Sequence, residues 1–156
     1  MKKLVSLKTL KTRLKSLKKR GNKIVFTNGC FDILHFGHVA YLKKCKDLGD
    51  ILVVGLNSDS SVKKIKGETR PVNRQAARGA VLSALEFVDY IVIFTGKTPE
   101  SLIRAVSPSV LAKGGDWKKK NIVGSSFVGS NGGKTIVIPF VKGFSTTRIL
   151  ERVRRA

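Results

Sequence analysis

Acidic side chains are scarce: the chain has 10 against 31 basic ones, and none of them falls in the first 23 residues. Chemistry that needs a pair of carboxylates as acid and base therefore has little to draw on. Cysteine is scarcer still. Cys30 and Cys45 form no CxxC pair and are too few for a structural zinc, so both read as buried, reduced thiols. With 4 Pro and 15 Gly, collagen-like and low-complexity compositions are excluded. No stretch approaches the roughly 20 apolar residues of a membrane span. The lysine-rich start also lacks the apolar segment and small-residue cleavage site of a secretion signal. A cytoplasmic protein with no membrane span is expected.

What is present suits a globular enzyme. A chain of 156 residues, 42% of them hydrophobic, can bury roughly two thirds of its unfolded surface. The net charge of +21 attracts polyanions at long range without naming one, and salt screens that attraction. Leu4, Leu7, Leu10, Leu14 and Leu17 recur at helical spacing among lysines and arginines until Gly21 and Asn22. Residues 1–22 thus read as a basic amphipathic helix docked on a body of residues 23–156. A membrane-surface or nucleic-acid-binding helix is the alternative.

From Lys23 onward, β-branched runs alternate with helical patterns. Strands are predicted at Ile24–Thr27, Ile51–Asn57, Tyr90–Phe94, Val110–Lys113 and Thr135–Pro139. Helices are predicted at Val39–Leu48, at Asn73–Glu86, after a Thr98 cap with Pro99 in the first turn, and at Arg148–Arg154. Strict alternation implies an α/β fold, a Rossmann-like doubly wound parallel sheet of about five strands. Ligands of such sheets bind beyond the carboxyl ends of the strands, so the loops that follow the strands carry the chemistry.

After the first strand comes NGCFDILHFGH, Asn28 to His38. Its two histidines, the only ones in the chain, sit three apart at a helix opening, where both rings can donate to one anion. After the fourth strand comes KGGDW. There Lys113 brings charge, Gly114 and Gly115 let backbone approach a ligand, and Asp116 can bind a sugar hydroxyl or help hold a metal. After the fifth comes KGFSTTRIL, whose Ser145, Thr146 and Thr147 open the last helix as a second anion cradle, one of them able to act simply as its cap. KGETRPVNRQAAR adds Lys66, Arg70 and Arg78 on a loop and the helix after it.

Together these segments resemble the HxGH nucleotidyltransferase superfamily, in its cytidylyltransferase-like branch. HFGH matches the first signature and GFSTTRI looks like the second. The blocks VFTNGCFDILHFGH, GDILVVGLNSDSSV, KGETRPVN, ALEFVD, LAKGGDW and KGFSTT, in that order, are similar to the heptose 1-phosphate adenylyltransferase domain of ADP-heptose synthases. The resemblance implies transfer of AMP from ATP, with Mg²⁺ bridging the triphosphate, to D-glycero-D-manno-heptose 1-phosphate, yielding ADP-heptose and pyrophosphate for lipopolysaccharide core synthesis. It implies His35, His38 and Lys66 as catalytic residues and Cys30, Phe31, Arg78, Lys113, Gly114, Asp116, Ser145, Thr146 and Thr147 along the nucleotide. Asp32 and Lys66 would face the acceptor, no protein side chain would be a dedicated metal ligand, and a homodimer or higher homo-oligomer is expected.

Two departures qualify it. The sugar kinase often fused to such enzymes does not occur in this sequence, so a separate kinase would supply the substrate. The Arg that precedes the second signature in glycerol-phosphate cytidylyltransferases is missing from PFVKGFSTT, which weighs against the alternative of cytidylyl transfer to glycerol 3-phosphate or another phosphorylated alcohol. A basic nucleic-acid-binding protein is the alternative of another class. It has only 11 aromatic residues and no familiar base-stacking module to support it.

Overall fold

The computed structural model describes residues 2–115 and 117–155. Five strands, β1 (Ile24–Gly29), β2 (Ile51–Asn57), β3 (Tyr90–Phe94), β4 (Val110–Gly114) and β5 (Lys134–Ile138), form one parallel sheet in the order β3-β2-β1-β4-β5. Helices α1 (Leu7–Lys19), α2 (Phe36–Lys46), α3 (Asp59–Lys66), α4 (Gln75–Ala84), α5 (Glu100–Val106), α6 (Ser125–Ser130) and α7 (Thr146–Arg155) lie between and around the strands. None of the described helices is long and apolar enough to cross a membrane.

Side chains alternate across the sheet, so each strand feeds two cores. Val25, Leu52, Val54, Leu56, Ile91, Val110 and Ala112 point to one face, under Leu42 and Cys45 of α2 and Leu82 of α4. Ile24, Phe26, Val53, Val92 and Leu111 point to the other, under Leu10 and Leu14 of α1 and Leu102, Ile103 and Val106 of α5. The predicted doubly wound arrangement is the one observed. The N-terminal helix is present too, but its first leucine is not part of it. Ser6 caps α1 by accepting from the Thr9 N–H at 3.1 Å, while Leu4 forms a parallel bridge to Ile91 on the edge strand β3.

The chain builds β1, β2 and β3 in one direction and then crosses over to β4, so the strand order reverses between β1 and β4. Crevices open at such switch points. Here the register shows why: β1 pairs with β2 over six residues from Ile24 to Gly29, but with β4 only at Val25↔Val110 and Phe26↔Leu111. Beyond Phe26 the two strands part, and their carboxyl ends splay around a cleft.

Most element ends shift by one to three residues from the sequence reading, and some of the differences bear on the site. Helix α2 starts at Phe36 rather than Val39, which puts His35 at its N-cap position and His38 inside its first turn. Pro99, not Thr98, occupies the N-cap position of α5 and gives it no side-chain cap. Helices α3 and α6 were not expected. The sequence of α3, DSSVKKIK, carries few apolar residues, and SSFVGS of α6 has the composition of a loop.

Candidate active site

The loop leaving β1 is held in an unusual shape. Phe31 has φ of 45°, a left-handed conformation that a bulky residue adopts only when its surroundings enforce it. A Cβ on Gly29 would lie 2.9 Å from the Phe31 ring, so the turn closes only around a glycine. From behind, Arg78 braces the loop. Its guanidinium is buried and donates to the carbonyls of Cys30 and Asn73 and to the Asp59 carboxylate. Asp32, also buried, accepts from the N–H groups of Val72 and Asn73 and pairs with Arg70. Burial pushes its pKa up, but those two N–H groups and Arg70 outweigh burial and hold the carboxyl below its ordinary value.

These contacts revise two expectations. Arg78 and Asp32 spend their hydrogen bonds inside the protein and line a smaller hollow of about 240 Å³ behind Phe31, not the cleft. Asp116 lies outside the described residues.

His35 and His38 do come together. Their rings stack with centroids 3.9 Å apart and an interplanar angle of 24°, and Phe31 packs edge-on against His38 at 5.2 Å. Gly37 lets this happen, since a Cβ there would lie 3.1 Å from both the His35 ring and the Phe144 Cβ. The Nδ1 atoms of both histidines are buried and find no hydrogen-bond partner within the described residues. A buried polar atom without a partner costs on the order of 1–3 kcal/mol, so these two nitrogens are an unrelieved cost carried by rings that line the cleft.

Both rings stay neutral at ordinary pH. Burial lowers the pKa of His35. Burial first, then His35 and Lys66, lower that of His38 to about 4 against a weaker upward pull from the Ile33 carbonyl. A neutral imidazole can hold one N–H toward an anion, and two stacked neutral rings avoid the repulsion that two imidazoliums would suffer. Burial also raises the Cys30 pKa, which keeps it a thiol.

The opposite wall is the start of α7. Ser145 accepts the Arg148 N–H on its Oγ at 3.2 Å, which makes it the cap. The N–H groups of Thr146 and Thr147 come too early in the helix to have an intrahelical acceptor. Two helix N-termini, those of α2 and α7, thus border one space. That space is a cleft of about 440 Å³ lined by residues from both clusters: Cys30, Phe31, His35, His38, Lys66, Lys113, Gly114, Ser145, Thr146 and Thr147. Lys66 reaches it as the last residue of α3 rather than from a loop. The Lys113 ammonium lies 3.4 Å from Asn28 Oδ1, and burial lowers its pKa.

Residues outside those expectations also line the cleft, among them Asn28, Tyr41, Trp117, Phe140 and Phe144. Tyr41 follows His38 by three positions on α2, a spacing that places both on one helix face, and its hydroxyl meets Thr27 Oγ1 at 2.6 Å. Phe140 and Trp117 are half or more exposed. Nothing in their sequence spacing separates them from surface aromatics; only the fold brings them to the rim.

Residues 26–152 match the cytidylyltransferase-like family. Relatives include the bifunctional protein HldE of Nitratiruptor sp., 56% identical over 140 residues, which is 90% of this chain and 29% of that protein. HldE of Geobacter metallireducens is 50% identical over 154 residues, 99% of this chain and 31% of that one. The chain therefore spans about three tenths of the length of these curated relatives. Among solved structures, the lipopolysaccharide core biosynthesis protein of Thermoplasma volcanium aligns with a TM-score of 0.64 and 28% identity, over 80% of this chain and 100% of that one. Pantothenate synthetase of Thermus thermophilus, at TM-score 0.62 and 15% identity over 99% of this chain and 70% of that one, shares the fold.

Proposed function

We propose, from the premise that this chain belongs to the cytidylyltransferase-like family, that it transfers the adenylyl group of ATP to D-glycero-D-manno-heptose 1-phosphate, giving ADP-heptose and pyrophosphate. The observation that carries this reading is the cleft that gathers the stacked His35 and His38 rings, Lys66, Lys113 and the start of α7. The acceptor rests on the six ordered sequence blocks. It is favoured by the likeness to proteins named bifunctional protein HldE and to one titled a lipopolysaccharide core biosynthesis protein.

The reaction asks little covalent chemistry of the protein. A sugar phosphate has a second pKa near 6, so it is already largely dianionic at neutral pH and needs no base. Its oxygen attacks the α-phosphorus of ATP. As that bond forms, the bond from the α-phosphorus to the bridging oxygen breaks, and pyrophosphate leaves with the electron pair. The protein has to align two polyanions and neutralise the charge that builds up. His35 and His38 would each turn an N–H to the α-phosphate, Lys66 would draw in the acceptor, and the Ser145, Thr146 and Thr147 segment would hold the remaining phosphates. Phe140, Trp117 and Lys113 would border the base and ribose.

The described residues contain no cluster of three or more side chains able to hold a metal. Mg²⁺ enters this reading as the counter-ion of the triphosphate, and no step is assigned to it. A cytoplasmic homodimer or higher homo-oligomer belongs to the same proposal.

The test is pyrophosphate release by the purified chain with ATP or CTP, paired with heptose 1-phosphate or glycerol 3-phosphate. Turnover is expected with ATP and the heptose. Activity confined to CTP would overturn the assignment. Removing one well-placed transition-state donor commonly costs about 3–4 kcal/mol, so His38→Ala should lose roughly a hundredfold to a thousandfold in kcat while remaining folded. Near-wild-type release by that variant would remove the role given to the pair.

A further inference from the structure

Helix α1 divides its basic residues into two groups. Lys18 donates to the carbonyls of Val106 and Ser107 at the end of α5, and Arg13 lies over the Tyr90 ring at 5.5 Å. Both are engaged with the body. Lys8, Lys11, Lys15 and Lys19 are exposed, and none of their side chains forms a hydrogen bond or an ion pair among the described residues. At about 100° and about 1.5 Å per residue, they fall within an arc of about 80° and form a stripe about 17 Å long. The stripe lies on the side turned away from the buried Leu10 and Leu14. Like charges three and four positions apart weaken a helix, and Lys8 with Lys11, Lys11 with Lys15 and Lys15 with Lys19 are such pairs. No carboxylate offsets them in the first 23 residues. A face that had only to be solvated would be better served by charges of alternating sign.

We propose that this stripe docks the protein reversibly, by charge, on the surface of an anionic lipid bilayer. Lysines near such a surface gain from its negative potential and need no fixed partner geometry. The stripe holds no arginine, the side chain whose planar fork grips a single phosphate or carboxylate, so its chemistry fits a smeared charge rather than one bound anion. Nucleic acid fits less well. No aromatic residue occurs in the first 23 positions to stack on a base, and a helix packed along Leu10 and Leu14 cannot sink into a duplex groove. Leu7 is the one exposed leucine of the helix, which leaves little to bury among acyl chains. Contact therefore stays at the headgroups, where salt reverses it. No residue of α1 lines the cleft, so docking is compatible with turnover, and the inference is independent of the reaction proposed above.

The experiment is flotation of the purified chain with vesicles of phosphatidylcholine, alone or with one third phosphatidylglycerol, at 0.1 and 0.5 M NaCl. It compares the wild type, the variant Lys8→Gln/Lys11→Gln/Lys15→Gln/Lys19→Gln, and a control that loses the same charge from exposed lysines elsewhere, Lys43→Gln/Lys44→Gln/Lys97→Gln/Lys134→Gln. The wild type should float with the anionic vesicles at 0.1 M NaCl, leave them at 0.5 M and ignore phosphatidylcholine. The α1 variant should bind at least tenfold more weakly, with a urea midpoint at or above that of the wild type because the like-charge pairs are gone. The control should lose no more than threefold. Equal losses in the two variants would overturn the inference, by showing that net charge acts and the stripe does not. Failure of the wild type to bind anionic vesicles would overturn it too. So would tighter binding, through the same four lysines, to a short DNA duplex than to the vesicles at 0.1 M NaCl, which would assign the stripe to nucleic acid.

Discussion

His38 ties the stability of the free protein to pH. Its folded pKa is lowered from 6.5 to about 4, chiefly by burial. As pH falls from about 6.5, the unfolded chain takes up a proton at this ring that the folded chain refuses, so stability drops toward the acid side; below about pH 4 both states are protonated there and the dependence ends. His35 acts in the same direction, since burial lowers its pKa as well. Urea midpoints measured between pH 7 and pH 5 should fall for the wild type and fall less steeply for His38→Gln. Equal slopes would show that the ring is not held neutral by its surroundings. Saturating ATP should reduce the wild-type slope, because phosphates near the rings favour the protonated form that burial disfavours.

Residues of one type and similar position can have opposite fates, and sequence does not sort them. Lys66 and Arg78 fall within 12 positions of each other in a basic stretch, yet Lys66 lines the cleft while Arg78 is buried behind it, bonded to Cys30, Asn73 and Asp59. Asp32 follows Phe31 directly, and the left-handed turn at Phe31 sends the two side chains to different tasks. That turn depends on Gly29 and on Arg78, 48 positions away from the Cys30 carbonyl it grips. No local pattern could have announced it.

At the scale of elements, α1 shows how an amphipathic pattern resolves. Its leucines at positions 10 and 14 are buried in the core beneath the sheet, beside Leu102, Ile103 and Val106. The segment before it pairs with β3 through Val5 N–H to the Ile91 carbonyl at 3.0 Å and Ile91 N–H to the Lys3 carbonyl at 2.8 Å. Leu10 and Leu14 are therefore occupied by the body, and Leu7 at the start of the helix stays exposed. Leu14→Ala should cost about 2–5 kcal/mol by the usual penalty for an emptied core site, read as a lowered urea midpoint with an unchanged slope. A loss under 1 kcal/mol would mean that the helix is only loosely docked. The strands were legible from β-branched runs because both sheet faces are buried. Helix α2 begins earlier than its apolar run suggests, because its first turn, FGH, carries a glycine and a histidine, neither a strong helix former.

At the scale of the whole molecule, the proposed reaction gives the net charge of +21 a part to play. A positive field concentrates polyanions such as ATP near the surface and weakens as salt shortens its range, to about 10 Å at 0.1 M. KM for ATP should rise several-fold between 0.05 and 0.5 M NaCl, with kcat changing less than twofold, because salt screens long-range attraction more than contacts at hydrogen-bond distance. Salt-independent KM would show that the field plays no part in capture. The doubly wound parallel sheet, and a site beyond the carboxyl ends of its strands, followed from the alternation, whereas the strand order β3-β2-β1-β4-β5, which puts the switch point between β1 and β4, is legible only in the fold. The depth of the cleft did not follow either, because it depends on β1 and β4 parting after two paired residues.

In the proposed reaction one triphosphate is held at once by the imidazole pair and by the start of α7. Titration of ¹⁵N-labelled protein with a non-hydrolysable ATP analogue tests this directly. The ring nitrogens of His35 and His38 and the backbone amides of Thr146 and Thr147 should all shift, following one binding curve with a single Kd. A response confined to one cluster, or two clusters saturating at different nucleotide concentrations, would contradict it.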